Sequence, residues 1–471
     1  MLVMTIPNTY KLSVVGLLLL FIVGCTTVPK DGGLSKVEQL YTTQTKTELK
    51  FPTRGIETSL SADEVNSILA KPLNLSDAER LALEVNPSIK AKLANVGIAE
   101  ADYAQAGRLE NPGFTYERFS GEEYASSLLF DIGGLFLMPL KRQMEARRLE
   151  MTRYDAAATV LEHIANTRRA WINAIAQQQQ TKIVKRVLES AETGNTMMRQ
   201  MAALGHSSVL EAAESEISLS EFRTALGKQR MAEGMAKEAL IRQLGLWGDQ
   251  TSALQLPTTF PKLPEQLVEI ESVEREAIES RLDVKMAKLN VEGMARNLKL
   301  TRRSPFLSTI ELGPSYEKAD GEGELGYELE WRIPLFDAGG VKNKKAKFIF
   351  EQAQAQAQAT AIAAASNARE ALAAYRSSWE IATHFRDQVL PLRERVSKEN
   401  LLMYNGMLIS VFDLLEDVRA AANIESSYVN AVRDFWLAET NLQQAMIGSG
   451  SSSMNFEGAA MMPSAGAEEG H

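Results

Sequence analysis

Between residues 325 and 333 the chain reads LGYELEWRI. Leu325, Tyr327, Leu329, Trp331 and Ile333 therefore fall on one side of an extended strand, and Gly326, Glu328, Glu330 and Arg332 on the other. The preceding FLSTIELGPSYEK (306–318) alternates in the same way, setting Phe306, Ile310, Leu312 and Tyr316 opposite Thr309, Glu311 and Glu317. ADGEGE (319–324) joins the two runs, and its Asp-Gly pair is a hairpin signal. Weaker alternation in GFTYERF (113–119) and YASSLLFDI (124–132) predicts a second strand pair. The period then changes. Over 141–203, Tyr154, Ala158, Leu161, Ala165, Ile172 and Ile175 mark a heptad-like seam with few helix breakers. EQAQAQAQATAIAAASNAREALAAY (351–375) alternates superficially, but Ala and Gln are strong helix formers and poor strand residues, so it reads as helix. Two helices of about 60 residues would each reach on the order of 90 Å, roughly the depth of a periplasm. Pro391 is expected to kink the second.

These elements occur twice. MPLKRQMEAR (138–147) aligns with IPLFDAGGVK (333–342), and ALEVNPSIKAKL (82–93) with AIESRLDVKMAK (277–288) at the same offset. LGHSSVLEAAESE (204–216) pairs with NGMLISVFDLLEDVR (405–419) when Gly205 is set against Gly406. The chain thus reads as a tandem duplication of helix, two strands, long helix, glycine turn and helix, with repeats at 76–255 and 267–447. LPTTFPKLPEQ (256–266), with three prolines, is the linker. Residues 26–71 carry no sustained periodicity, and the Gly/Ser-rich tail (448–471) is expected to be flexible. Gly205 and Gly406 are expected to take the positive-φ conformation of a tight helix-to-helix turn.

Composition adds the compartment. The one long apolar run, LSVVGLLLLFIVGC (12–25), follows Lys11 and is short and early, as in a signal peptide spanning 1–24. Its end, Ile22-Val23-Gly24-Cys25, resembles the bacterial lipobox, which implies a lipid anchor on Cys25 and a lipid-anchored segment over 25–75. Cys25 is the single cysteine, so export here does not rest on disulfides. Thr26 rather than an acid follows it, which by the same resemblance favours the outer membrane. A net charge of −9 without a basic, aromatic-interleaved face argues against a nucleic-acid binder. The 18 methionines, with Met454, Met461, Met462 and His471 in the tail, invite a Cu(I) reading, but their spacing matches no ligand motif and methionine also fills irregular cores. No metal site, cofactor motif or nucleophile-base constellation is visible, so the chain is expected to be no enzyme.

Strands of about ten residues, apolar on one face and charged on the other, suit either a half-buried soluble sheet or a water-filled membrane barrel. Four strands per chain cannot close a barrel, because about eight is the practical minimum. NPSIKAKLANVGIAEADYAQAGRLENP (86–112), IPLFDAGG (333–340) and VLPLRERVSKENLLMYNGMLISVFDLLEDVRAA (389–421), in this order, resemble the outer-membrane factors of the TolC family, the exit ducts of tripartite efflux pumps and type I secretion systems. The resemblance spans about residues 75–447. It implies a mainly α chain with a membrane β-barrel: a homotrimer forming a twelve-stranded barrel continued by a periplasmic α-helical tunnel. It implies as partners a periplasmic adaptor and an inner-membrane efflux transporter. Leu204, Gly205, His206, Ser207, Asn405, Gly406, Met407 and Leu408 would then be the adaptor-facing tips. Glu211, Glu214, Asp413, Glu416 and Asp417 would ring the entrance, with Arg419 as a releasing ion-pair partner. Pro139, Pro334, Gly339 and Gly340 would mark the strand-to-helix bends. Copy one departs from the pattern: MPLKRQMEAR lacks the FDAGG segment, and Ser190 stands opposite Pro391. A lipid-anchored coiled-coil scaffold or adaptor without a pore is the alternative.

Overall fold

Short-range rules place most of the elements. The computed structural model describes residues 28–45, 60–119, 123–267, 269–270, 272–301, 310–319, 322–331 and 340–448. Cys25, Pro334, Gly339 and the tail beyond 448 lie outside these. Two short helices, α1 (Leu34–Thr45) and α2 (Ala62–Leu69), precede the first repeat. Both fall in the stretch expected to lack periodicity. Each nonetheless buries an i, i+4 apolar pair, Val37 with Tyr41 and Val65 with Leu69, a pattern too short to stand out. Ser61 and Glu64 close a capping box on α2.

The first repeat runs α3 (Leu75–Glu84), α4 (Pro87–Ala106), β1 (Gly113–Arg118), β2 (Tyr124–Asp131), α5 (Ile132–Ala203) and α6 (Val209–Leu244). A four-residue helix, α7 (Gln250–Ala253), leads into the proline-rich connection. The second repeat runs α8 (Val273–Ser280), α9 (Leu282–Thr301), β3 (Ile310–Ala319), β4 (Glu322–Trp331), α10 (Gly340–His384), a π-helical turn (Phe385–Val389), α11 (Leu390–Asn405) and α12 (Val411–Ile447). Where a kink is expected at Pro391, the helix passes through this π-turn. Widening the helix just before the proline, with Leu390 N–H reaching back to Phe385 O, accommodates a residue that lacks its own donor.

The bend expected at Pro139 is displaced. Pro139 lies inside α5, and the helix already starts at Ile132, where Asp131 Oδ1 accepts from Gly134 N at 2.6 Å. The side-chain cap starts the helix; an interior proline removes one hydrogen bond without ending it. In copy two, Gly340 is the first residue of α10.

The helices pack through three main clusters. Around the middle of α5, Trp171, Ile172 and Ile175 share a core with Val65 and Leu69 of α2, Leu81 of α3, and Leu240 and Leu244 of α6. Trp171 Nε1 donates to Leu73 O at 2.8 Å, which satisfies the buried indole. A second cluster joins Val37, Tyr41, Ile89, Leu93, Ala157 and Val160. The third gathers Ala368, Leu372, Tyr375, Phe435 and Leu442, with Tyr375 stacked on Phe435 at 5.5 Å. Of the anticipated seam, Ala165, Ile172 and Ile175 are buried, while Tyr154, Ala158 and Leu161 are partly buried against the second cluster. A straight helix drifts relative to a 3.5-residue period, so a fixed heptad seam rotates away from any one neighbour.

The duplication is also visible as two matching joints. The offset that aligns Pro139 with Pro334 aligns Asn86 with Arg281, and each stands at a break between two helices of its repeat. Asn86 Nδ2 donates to Arg242 O and Gln243 O (3.1 and 2.8 Å) at the end of α6, where Gly245 takes φ 74°. Arg281 Nη1 donates to Ala445 O (2.9 Å) at the end of α12, where Gly448 takes φ 76°. Different side chains thus close the orphan carbonyls of both returning helices.

Candidate functional site

The two helix-to-helix turns lie at the same end of the bundle. Tyr404 on α11 contacts Met197 on α5, and Gly194 on α5 lets Leu415 of α12 approach where a Cβ would stand 2.5 Å from Leu415 Cδ1. In the first turn Gly205 has φ 75°, Gly205 N donates to Ala202 O (3.1 Å) and His206 N to Met201 O (2.9 Å). The second turn repeats this pair of bonds, Met407 N to Tyr404 O and Leu408 N to Met403 O, both 2.9 Å. Both are Schellman closures, in which the residue after the cap must adopt positive φ.

That residue is Met407 (φ 57°), not Gly406, whose φ is −79°. Aligning the copies on their glycines misregisters the turn by one residue; aligning Ser208 with Ser410 places Gly205 on Met407. Met407 is the one non-glycine at positive φ among the described residues, and it is 93% exposed. A left-handed L-residue costs about 1–2 kcal/mol, partly offset by the chain entropy a glycine would add. We therefore expect Met407→Gly to slow amide exchange at the α11–α12 turn, stabilising it by about 1 kcal/mol or less. Unchanged or faster exchange would contradict the strain.

The acids beyond the turns divide into engaged and free. Glu211 and Asp413 fold back as capping boxes on Ser208 and Ser410. The Ser208 backbone N–H, then its hydroxyl, holds the Glu211 carboxyl below its ordinary range; for Asp413 the Ser410 hydroxyl leads and its backbone N–H adds. Asp417 is buried, its carboxylate paired with Arg393 and accepting from Asn400 Nδ2, while Arg393 Nη2 also donates to Asp417 O at 2.7 Å. Among the described residues Arg419 meets no acid: it donates to Ser218 Oγ and lies over the Phe222 ring at 4.8 Å, tying α12 to α6. Glu214 and Glu416 are exposed. Leu204 and Leu408 are also exposed at the tips.

At the other end, β1-β2-β3-β4 form one antiparallel sheet in sequence order, so β1 and β4 each keep an unpaired edge within the chain. The register pairs Leu312 with Leu329 and with Phe130, Pro314 with Tyr327, and Tyr116 with Ser126. One face therefore gathers Phe114, Tyr116, Phe130, Leu312, Leu325, Tyr327 and Leu329. Leu325, Tyr327 and Leu329 are 78%, 84% and 63% exposed. The opposite face carries Glu117, Asp131, Glu311, Glu317, Glu322, Glu324, Glu328 and Glu330 and, among the described strands, no lysine or arginine; Arg118 and Lys318 register on the apolar face. Among the described residues no helix is long and apolar enough to cross a membrane.

Solved structures with this combination of elements are known. The Campylobacter jejuni CmeC outer membrane channel superposes with a TM-score of 0.68 at 15% identity, over 88% of this chain and 92% of that one. CusC, described in terms of transmembrane channel formation, matches at 0.64 and 16% identity over 85% and 99%. The Vibrio cholerae outer membrane protein VceC matches at 0.63 and 15% over 79% and 96%. The fold is that of the TolC-type outer-membrane channels. No protein-family model matches the chain, and no curated protein matches it in sequence. At such identities the shared fold rests on the pattern of elements rather than on shared residues.

Within that fold, Arg393, Asn400, Ser218 and Phe222 are tip-region residues that sequence reasoning missed. Nothing local marks them, since each acts on a residue of another helix. Ser208 and Ser410 were findable: Ser-x-x-Glu and Ser-x-x-Asp directly before an apolar run are helix-start signatures.

Proposed function

We propose that this chain is the exit duct of an envelope export system, three copies pairing β4 of one with β1 of the next. Three four-stranded sheets then close into one twelve-stranded barrel, and the long helices continue it as a tunnel into the periplasm. The observation that carries this reading is the sheet itself. A contiguous aromatic and aliphatic face is exposed, an acidic face lies behind it, and both edges are open. A chain in water would bury the first and block the last, whereas lipid outside and water inside satisfy all three. The likeness to outer-membrane channels supports it.

On this reading the chain conducts passively and is no enzyme. Energy comes from an inner-membrane transporter, joined through a periplasmic adaptor that meets the tips around Leu204, Gly205, His206, Ser207, Asn405, Gly406, Met407 and Leu408. A lipid on Cys25 anchors it to the outer membrane. Of the acids proposed for the entrance, Glu214 and Glu416 are free to face the pore, while Glu211, Asp413 and Asp417 are held by their own chain. Purified protein in planar bilayers tests the duct: we expect stepwise conductance from a species of three chains. Well-folded protein that stays monomeric and gives no conductance would leave the pore-free scaffold as the reading.

A further inference from the structure

Far from both the tips and the sheet, beside the core built on Trp171, a solvent-facing groove of about 600 Å³ opens between α2 and the loop after α6. Trp247 stands in it 79% exposed. Its placement is fixed by its neighbours: Leu246 is buried, and Gly245 and Gly248 hold positive φ of 74° and 59° on either side. A loop anchored in this way presents a bare indole face to water at a hydrophobic cost, and that cost has no structural return, since Trp247 closes no core cluster.

Around the indole stand Asn66, Asp249, Gln250 and Gln255. Asp249 precedes α7 without capping it, and Gln250 Oε1 is buried with no hydrogen-bond partner. Asn66 and Gln255 are exposed and also line the groove, with no side-chain hydrogen bond among the described residues, while their backbone carbonyls accept from Ala70 N and Leu73 N. The carboxamides of Asn66 and Gln255 supply donors and acceptors together, Gln250 adds the donors of its amide nitrogen, and one carboxylate supplies acceptors only. No lysine or arginine lines the groove, so a phosphate or carboxylate ligand would meet no counter-charge.

A flat apolar face ringed by groups that both donate and accept, with no cation, matches a ring whose faces are C–H and whose rim is hydroxyl or acetamido. The geometry points to a binding site for a neutral glycan strand, stacked on Trp247 and hydrogen-bonded by Asn66, Asp249, Gln255 and the amide nitrogen of Gln250. This does not rest on the duct reading, because the groove belongs to a single protomer and touches neither the strands nor the turns.

The test is calorimetric titration of the purified full chain with a soluble β-1,4-linked N-acetylglucosamine tetramer. Saturable binding is expected. Trp247→Ala should weaken it at least about tenfold, as loss of a stacking face implies, while Trp247→Phe, which keeps an aromatic face, should retain most of it. Gln250→Ala should weaken it less. An unchanged melting temperature for Trp247→Ala would confirm that this exposed side chain is not structural. Failure of the wild-type chain to bind, or equal binding by wild type and Trp247→Ala, would overturn the proposal.

Discussion

Replacing Arg393 by alanine is expected to destabilise the α11–α12 hairpin by about 3–5 kcal/mol, the cost of leaving a buried charge without its partner. The Asp417 carboxylate is almost fully enclosed, and among the described residues its counter-charge comes from Arg393, with Asn400 adding a neutral donor. Removing the guanidinium also takes away the donor to Asp417 O. Amide exchange along α11 and α12 should accelerate by about two to nearly four orders of magnitude, as that free energy implies. The double variant Arg393→Met, Asp417→Leu should recover most of the loss, because no charge then remains to be buried. Equal exchange in Arg393→Ala and wild type would mean that the pair does not hold the hairpin.

Gly245→Ala should cost about 3 kcal/mol, from two independent sources. A side chain at φ 74° costs about 1–2 kcal/mol, and a Cβ there would stand 2.5 Å from Asn86 Cα, backbone that cannot swing aside. Overpacking of that kind adds about 1–3 kcal/mol. Gly227 is the internal control: it lies within α6 with nothing within 4 Å of an added Cβ, so Gly227→Ala should stabilise by about 0.5–1 kcal/mol. Thermal melts of the two variants should therefore move in opposite directions. A shared direction would remove the joint at Asn86 from the account of how α6 is pinned.

Much of this architecture is legible in the residues. The two strand pairs, the long helices and their order within each copy follow from period-2 and near-3.6 patterns, and all four strands form near where the alternation places them. The N-terminal helices are not legible in the sequence because eight to twelve residues hold only a few turns of signal. The second turn was misregistered for a different reason: glycine is the usual left-handed residue, and here an adjacent methionine takes that place. The serines that start the following helices carry the better alignment, since a capping residue is tied to its helix by fixed local geometry.

The acids near the tips mark the boundary between the two kinds of information. Apart from the capping acids Glu211 and Asp413, spacing alone makes Glu214, Glu416 and Asp417 look equivalent, each just inside a helix that follows a turn. Sequence determined the elements, their duplication and the two capping boxes, because periodicity and i to i+3 hydrogen bonds act between residues close along the chain. Only the tertiary structure decided that Asp417 is buried against Arg393, that Arg419 reaches Ser218 across to another helix, and that one sheet face is apolar from β1 through β4. Those outcomes depend on which surfaces meet once the chain has folded back on itself, and burial, which sets the energy of a charge, is a property of that meeting.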